Sequence, residues 1–465
     1  MRRVVVAVCG GGGNGANDVM YAMVRSLGRG YEIIGVKKAF EGLLSPNLEA
    51  GGIAVRLTPE DLRQRIFDEG SILGLSREPP YLRGKAEGDE QSESQTLDSM
   101  LLERFQHKKA QLMGANNGVS VRRLNNKERI ERIRHNLLDV LKANLFTVIG
   151  GDGTYRSLGE FFSDPDGAWL ERMTIGCPNI MDNDIASMTM FGQTAANLSP
   201  GYSSAATKLL RFHENLVSVA RNHQRVILHE TFGRHWGWAT AILDLANASS
   251  LALPEKPFTF DTLDELARRI VHNYRTFGYD TVGIAEGLRF GRDVVDVVKN
   301  ILPGYKYFME TDGYCRVGPA LGPNSRKLGG AGYVVEKLLN MMLGDEIPIR
   351  VVASNYTPRE KDPTTGLAIN PYDFKFCYAA GECVAGMVRE EMVGFMPRLA
   401  SVVDYRGIRP AAFEQFMIRD THQSGIPDGF LPAGPVSLEV KPVFTDYVRM
   451  ITEGPRRPET KILGS

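Results

Sequence analysis

The chain has 465 residues, 55 acidic and 55 basic side chains, and a hydrophobic fraction of 43%. This is the composition of an ordinary globular protein, and the length favours two domains. A formal charge of zero gives no reason to expect nucleic acid or an anionic membrane as a partner, and no apolar stretch is long enough to cross a bilayer. The five scattered cysteines lack a CxxC spacing, so we expect reduced thiols and a cytoplasmic protein.

The chain opens with the pattern of a strand, a glycine-rich loop and a helix. Apolar residues 4–9 meet the loop at 10–17, and residues 18–27 carry apolar side chains at helical spacing. Such a loop presents backbone N–H groups to an anion at a helix N-terminus. A tight turn without a ligand is about equally compatible with this stretch taken alone.

The next segments lead towards a second site of the same kind. A strand is predicted over residues 31–36, and residues 70–77 resemble another strand end that places Arg77 near the same edge. Residues 78 to about 117 are polar and rich in Gly and Ser, which indicates a surface insertion with a helix between 96 and 112. An amphipathic helix is predicted over residues 127–143.

Two neighbouring predicted strands then end in glycines and acids. The strand at 145–149 meets a GGDG turn and a helix, and the strand at 173–178 is followed by Asp182 and Asp184. Ligands of open α/β sheets collect at the carboxyl ends of the strands. The pair therefore predicts a phosphate and a divalent cation held between them.

The second half repeats the alternation of strands and helices. Residues 193–223 are predicted to be helical, and strands are predicted at 225–230, 282–285 and 349–353. Glycine and proline breaks mark the tail beyond Gly386, and its sequence indicates no chemistry.

Three motifs together resemble the phosphofructokinase family, whose members phosphorylate the 1-hydroxyl of fructose 6-phosphate with ATP or pyrophosphate. IGGDGT is similar to the donor-binding motif, PNIMDND to the catalytic motif and ETFGRHWGW to the sugar-phosphate loop. The likeness covers roughly residues 4–390, apart from the insertion. It implies an α/β fold of two Rossmann-like domains with mostly parallel sheets and a cleft between them.

The resemblance also implies domain boundaries. Residues 1–190 with about 360–410 would form the donor domain, which includes the surface insertion at about 78–117, and residues 191–359 the acceptor domain. Residues 411–465 would be an extension of unknown role. The chain would cross between the domains near residues 185–193 and return near 359.

On the donor side, the resemblance assigns a role to each matched position. Asp182 would be the general base that takes the proton of the attacking hydroxyl, and Asp152 and Asp184 would hold Mg²⁺. Four further positions match contacts to the phosphoryl donor: Gly11, Arg77, Gly153 and Thr154. Phosphoryl transfer needs this combination of positioning and charge neutralisation.

On the acceptor side, two pairs of arginines bracket two strands, and the members of each pair stand nine residues apart. Arg234 and Arg359 would bind phosphate, with Arg234 also acting in catalysis, while Arg225 and Arg350 would serve the site of a neighbouring subunit. We therefore expect a homodimer or homotetramer. The other implied contacts to the sugar phosphate are Ile180, Phe232, Gly233, Glu286 and Tyr356.

The sequence departs from the family pattern at positions that bear on its substrates. Ile180 stands where the catalytic motif of the family has threonine, so the contact made by the threonine hydroxyl is lost. Phe232 stands where the sugar-phosphate loop of the family has methionine. Gly153 stands where pyrophosphate users commonly carry aspartate, which favours ATP. Asn179 is neither the glycine of ATP users nor the lysine of pyrophosphate users, so pyrophosphate remains an alternative donor.

The leading hypothesis is an ATP- and Mg²⁺-dependent 6-phosphofructokinase of glycolysis, with small-molecule partners only. The alternatives are a pyrophosphate-dependent enzyme, a paralogue with another sugar-phosphate acceptor, and a catalytically weak regulatory or binding subunit. Ile180 favours the last two, whereas the retention of Asp152, Asp182 and Asp184 opposes the binding subunit. A dinucleotide-binding oxidoreductase fits only the first glycine loop, which lacks a clean GxGxxG.

Overall fold

The fold is described from a computed structural model. The model describes residues 1–10, 13–48, 51–82, 124–185, 188–191, 194–301, 313–317, 327–354, 357–362, 365–399, 413–421, 424–428, 430–432 and 438–452. The helix predicted between residues 96 and 112 lies outside these ranges.

The first sheet consists of β1 (Arg2–Val8), β2 (Tyr31–Val36), β3 (Ala54–Arg56), β4 (Leu145–Gly150) and β5 (Thr174–Pro178). The strands lie in the order β3-β2-β1-β4-β5, and every pairing is parallel except that of β2 with β3. β4 and β5 are buried along their whole length, as expected of parallel strands covered on both faces. Their carboxyl ends, with that of β1, meet at one edge of the sheet.

The helices of this half are α1 (Ala16–Leu27), α2 (Ala39–Leu43), α3 (Pro59–Arg63), α4 (Asn126–Arg134) and α5 (Asp152–Ser163). Asn125 and Glu128 form a capping box that begins α4. The helix continues as a π-helix over His135–Val140, so the predicted helix at 127–143 is largely confirmed.

The connection to the second sheet corrects one prediction. β6 (Met188–Phe191) and β7 (Thr194–Asn197) form an antiparallel pair, and α6 begins only at Tyr202 and ends at Asn222. The predicted helix was therefore wrong over residues 194–201, and residue 193 lies outside the described ranges. The reason is that β7 pairs with β6, and Pro200 and Gly201 then start the helix, Gly201 with a φ of 102°.

The second sheet is wholly parallel and has the order β13-β8-β10-β9. Its strands are β8 (Val226–Thr231), β9 (Ser250–Ala252), β10 (Asp280–Ala285) and β13 (Ile349–Ala353), while β11 (Arg316–Val317) and β12 (Lys327–Leu328) form a separate short pair. The helices are α7 (Trp238–Ala241), α8 (Phe260–Phe277), α9 (Arg292–Ile301) and α10 (Ala331–Leu343). Because β8, β10 and β13 run together, the loops that follow them share one edge.

The rest of the chain packs back onto both halves. α11 (Pro371–Glu390) shares a buried core with α1, and the hairpin of β14 (Phe395–Leu399) and β15 (Phe413–Met417) lies beside β5. α12 (Pro442–Ile451) buries Phe444, Tyr447 and Val448 in the core that contains Trp238. The tail is thus part of the folded body.

The mixed α/β architecture with mostly parallel sheets confirms the predicted fold class. The domain boundaries given above stay a prediction. No helix among the described residues is long and apolar enough to cross a membrane. All five cysteines are free thiols, four of them buried.

One buried acid in this core makes stability depend on pH. Burial, reinforced by Asp373 and Asp68, raises the pKa of Asp18 to about 7. An acid whose folded-state pKa is raised contributes stability that is present below its unfolded pKa of about 4 and is lost as the pH rises through the folded value. We therefore expect Asp18→Asn, which keeps the acceptor for the Phe67 N–H, to be more stable than the wild type by a margin that grows from about pH 5 to about pH 8. Calorimetric melting temperatures check this, and a margin independent of pH would contradict it.

Candidate active site

The GGDG turn is held rigidly at the carboxyl ends of β4 and β5. The buried Tyr155 hydroxyl of α5 donates to the Val148 carbonyl at 2.9 Å and accepts from the Cys177 N–H at 2.8 Å. The Asn179 N–H, just beyond β5, donates to the Gly150 carbonyl at 2.9 Å. The turn, the first residues of α5 and the segment after β5 are therefore tied together.

The first glycine loop lies beside this turn. The Gly10 N–H donates to the Ser76 carbonyl at 2.8 Å, which sets Arg77 at the end of β1. A Cβ built on Gly10 would lie 3.8 Å from the Thr154 hydroxyl oxygen. Two glycine-rich segments and an arginine thus adjoin at the N-terminus of α5. Gly11 lies outside the described residues.

Asp152, Asp182 and Asp184 form an acid cluster at this edge. Burial raises the pKa of Asp182, and the charges of Arg359, Arg234 and Arg77 oppose this shift. Burial raises the pKa of Asp184 well above its usual range, and Asp182 and Asp152 raise it further. Because these shifts include mutual charge effects, the three carboxylates share one partly desolvated region.

The loops after β8, β10 and β13 supply the facing wall. The Gly233 N–H donates to Glu286 Oε1 at 3.3 Å. Burial raises the pKa of Glu286 to about 7, and the nearby Asp182 adds to the shift while Arg234 opposes it. Arg234 and Arg359 both act on Asp182, so the residues predicted for the two walls of a cleft lie around one carboxylate.

Arg225 and Arg350 lie at the opposite end of the second sheet. Arg225 precedes β8, and Arg350 is the second residue of β13, where it pairs in register with Ile227. The exposed Arg350 side chain donates to the neighbouring Ile349 carbonyl at 2.9 Å. The fold therefore separates these two arginines from the acid cluster of their own chain.

The remaining predicted acceptor residues have different surroundings. The Ile180 N–H donates to the Pro200 carbonyl at 2.8 Å, and a Cβ built on Gly151 would lie 2.6 Å from Ile180 Cδ1. Ile180 thus lies against the donor turn. Phe232 is buried in the core that contains Trp238. Tyr356 lies outside the described residues.

The acid cluster suits a divalent cation that substrate phosphates help to hold. The pKa of Asp184 is raised partly by Asp152 and Asp182, a repulsion that a cation would relieve. Within the described ranges, no group of three or more acids, histidines or cysteines has the arrangement of a complete metal site. Mg²⁺ commonly takes only one or two protein carboxylates and completes its shell with water and phosphate. Asp152 also pairs with Arg156, whose Nε lies 2.9 Å away.

Sequence reasoning missed a buried clamp on the Arg359 loop. The Pro358 carbonyl accepts from Asn14 Nδ2 at 2.9 Å and from Lys208 Nζ at 3.3 Å. Burial lowers the pKa of Lys208 to about 8. The only signal in the sequence is a lysine at an apolar position of α6. Asn179 Nδ2 donates to the Asn14 carbonyl at 2.9 Å, so its amide braces the first glycine loop.

The fold resembles solved structures of one family. The pyrophosphate-dependent phosphofructokinase of Nitrosospira multiformis aligns with a TM-score of 0.65 over 99% of this chain and 95% of its own, at 14% identity. That of Marinobacter aquaeolei aligns with a TM-score of 0.64 over 98% and 93%, also at 14% identity. At such identities the likeness concerns the fold alone.

Sequence comparison gives the same family. The chain is 25% identical over 399 residues to an ATP-dependent 6-phosphofructokinase of Chloroflexus aurantiacus, covering 84% of this chain and 86% of the relative. It is 26% identical over 270 residues to a pyrophosphate–fructose 6-phosphate 1-phosphotransferase of Amycolatopsis methanolica, covering 57% and 60%. The family model for phosphofructokinase matches residues 3–318, about two thirds of the 465 residues. The chain therefore belongs to the phosphofructokinase family of phosphotransferases.

Proposed function

We propose that this protein transfers the γ-phosphoryl group of ATP to the 1-hydroxyl of fructose 6-phosphate, the step of glycolysis that yields fructose 1,6-bisphosphate. The observation that carries the proposal is the position of Asp182. It is a half-buried carboxylate on which Arg77, Arg234 and Arg359 all act. A base surrounded by arginines from both sheets suits a reaction that joins two phosphorylated substrates.

On the donor side, Arg77 and the backbone of the first turn of α5 would bind the phosphates of ATP. Asp152 and Asp184 would hold Mg²⁺, which supplies neutralisation of the charge on the transferring phosphoryl group. Arg156, ion-paired with Asp152, adds a further positive charge at the same helix end.

On the acceptor side, Arg234 and Arg359 would bind phosphate and Glu286 would accept hydrogen bonds from the sugar hydroxyls. Arg225 and Arg350 lie at the ends of β8 and β13 that are opposite to this site. We propose that they complete the site of a neighbouring copy in a homodimer or homotetramer. Equilibrium sedimentation of the active enzyme checks this, and a fully active monomer would remove these two residues from the site.

The chemical step that these side chains support is simple. Asp182 takes the proton of the 1-hydroxyl while the oxygen of that hydroxyl bonds to the γ-phosphorus. The bond from that phosphorus to the bridging oxygen breaks, and ADP leaves with the electron pair. Arg234 stabilises the charge on the phosphoryl oxygens during transfer.

The choice of ATP rests on the space beside Gly153. A Cβ built there meets no heavy atom within 4 Å, and this open space supports a donor that carries an α-phosphate. We expect Gly153→Asp to lower kcat/KM for ATP by about 10²-fold or more, because a carboxylate would repel and displace the nucleotide. Gly153→Ala, which adds only a methyl group, is the matched control and should stay near the wild type. Equal losses in both variants would show that backbone geometry, not the added charge, decides.

A panel assay tests the proposed function as a whole. Purified protein with Mg²⁺ is supplied with ATP or pyrophosphate and with fructose 6-phosphate or other sugar phosphates. The proposal expects ATP and fructose 6-phosphate to give the highest kcat/KM. Ile180, which lacks the hydroxyl of the threonine that the family's catalytic motif has at this position, favours a second candidate in which another sugar phosphate is the better acceptor. Tight sugar-phosphate binding without transfer from either donor would instead indicate a binding subunit.

A further inference from the structure

The described parts of residues 424–452, here called the C-terminal strap, contact both halves of the candidate site. The described parts of the strap are residues 424–428, 430–432 and 438–452. They begin beside the acid cluster and end with α12 in the core of the second half. No role for this segment follows from the family motifs.

The strap touches the catalytic turn, residues 182–184, at two points. The Ser424 N–H donates to the Asp184 carbonyl at 2.9 Å. The Tyr447 hydroxyl, on α12, is hydrogen-bonded to the side chain of Asn183. Asn183 is fully buried and has a φ of 58°, a left-handed conformation that needs support from its surroundings. Its Oδ1 accepts from the Ser199 N–H at 2.9 Å, so Tyr447 and Ser199 together fix this side chain.

The strap also touches the acceptor loop, residues 232–238. Trp238 Nε1 donates to the Ser424 carbonyl at 3.2 Å. Glu255 Oε1 accepts both from the Gly237 N–H at 2.9 Å and from the Ile426 N–H at 3.1 Å, so this half-buried carboxylate joins the loop to the strap. Ser424 therefore bonds to Asp184 through its N–H and to the acceptor loop through its carbonyl.

An aromatic cluster anchors the strap on the same loop. The Trp238 ring lies 6.4 Å from Phe430, 6.1 Å from Phe444 and 6.1 Å from Tyr447, measured between ring centroids. Trp238, Phe430, Phe444 and Tyr447 are all fully buried. Burial of four such rings is a large apolar contribution, which makes the attachment of α12 rigid.

We infer that the C-terminal strap is a positioning element that holds the catalytic turn and the acceptor loop in register for phosphoryl transfer. The inference rests on the proposed function of Asp182 and the acceptor loop. Misplacement of a reacting group by about 1 Å can cost about 10²-fold in rate. One segment bonded to both walls limits such misplacement. Tyr447 is then a positioning residue for the catalytic turn, and Gly425, which lies against the Trp236 ring, is one for the acceptor loop.

Tyr447→Phe tests the contact with the catalytic turn. It removes the hydroxyl bonded to Asn183 and keeps the ring in the aromatic cluster. We expect kcat to fall about 5- to 20-fold with little change in KM for the sugar phosphate, because the base is misplaced but the acceptor residues are not. Thr445→Val is the matched control on the same helix. It removes a hydrogen bond from Thr445 Oγ1 to Asp244 Oδ2 of 2.8 Å that does not involve the site, and kcat should stay unchanged.

Gly425→Ala tests the contact with the acceptor loop. A Cβ there would lie 2.1 Å from Cε3 of Trp236, so either the strap or the ring must move. We expect KM for the sugar phosphate to rise about tenfold and KM for the donor to stay unchanged, because Trp236 is two residues from Arg234. Similar rises of both KM values would overturn the assignment of Gly425.

Hydrogen exchange of the same variants, read by mass spectrometry, needs no activity. Faster exchange over residues 180–185 in Tyr447→Phe, but not in Thr445→Val, supports the inference that the strap holds the catalytic turn. Unchanged exchange there, or equal losses of kcat in both variants, overturns it. If the wild type transfers no phosphate, the proposed function fails, while the exchange data still decide whether the strap holds the turn.

Discussion

Asp182→Asn is expected to lower kcat by about 10²–10⁴-fold, because the amide cannot take the proton of the acceptor hydroxyl. The substitution preserves the shape of the side chain and removes its negative charge. Because burial already raises the pKa of the Asp182 carboxyl, the fold should tolerate the neutral amide well. Binding of the sugar phosphate should persist, since Arg234, Arg359 and Glu286 are unchanged. Turnover from initial rates and affinity from calorimetry separate the two effects.

The exposed Asp166→Asn on the loop after α5 is the matched control and should behave as the wild type. The pH profile gives a second check. Asp182 must be ionised to act as a base, so kcat/KM should fall as the pH drops through its pKa, which lies above the usual aspartate value of about 3.9. An unchanged kcat in Asp182→Asn would remove the base from the account and favour a binding protein.

Gly287→Ala is expected to lower kcat/KM for the sugar phosphate by about 10²-fold or more. A Cβ at this position would lie 1.8 Å from the Arg234 carbonyl oxygen and 2.4 Å from its carbonyl carbon. Both are backbone atoms, so the acceptor loop must shift as a whole and carry Arg234 away from the cluster. Steady-state kinetics should show most of the loss in KM for the acceptor.

Gly386→Ala is the control for this substitution. It lies inside α11, and a Cβ there meets no heavy atom within 4 Å. Alanine should be neutral there or stabilise the helix by up to about 1 kcal/mol. If Gly287→Ala kept the wild-type KM, the acceptor loop would not hold the conformation described here.

Local sequence patterns were enough to predict the main parallel strands and the loops that bear the candidate site, whereas the arrangement in two Rossmann-like domains was implied by the family resemblance. The buried strands are continuous apolar runs, and glycines or acids follow them at the sheet edge, so strand ends such as Gly150 and Glu286 could be located. The start of α6 was missed because residues 194–197 have a helical pattern but pair with β6. Tertiary pairing overrides local propensity in such cases.

The contacts of the tail could not be predicted for a different reason. Tyr447 meets Asn183 across more than two hundred residues, and Ser424 meets Asp184 through backbone atoms that carry no sequence signal. The clamp of Asn14 and Lys208 on the Pro358 carbonyl is equally remote. Motifs identify side chains that do chemistry, whereas backbone bonds between distant segments become visible only in the fold.

Phosphorus NMR of the purified wild-type protein follows the proposed phosphoryl transfer from donor to acceptor. With ATP, Mg²⁺ and fructose 6-phosphate, we expect the γ-phosphate resonance to disappear while ADP and a second sugar phosphomonoester, at C1, appear in equal amounts. Loss of the γ-phosphate only as inorganic phosphate would contradict transfer to the sugar. If the sugar phosphate binds but the spectrum does not change with either ATP or pyrophosphate as donor, the protein has no phosphotransferase activity on this acceptor, and the proposal is contradicted.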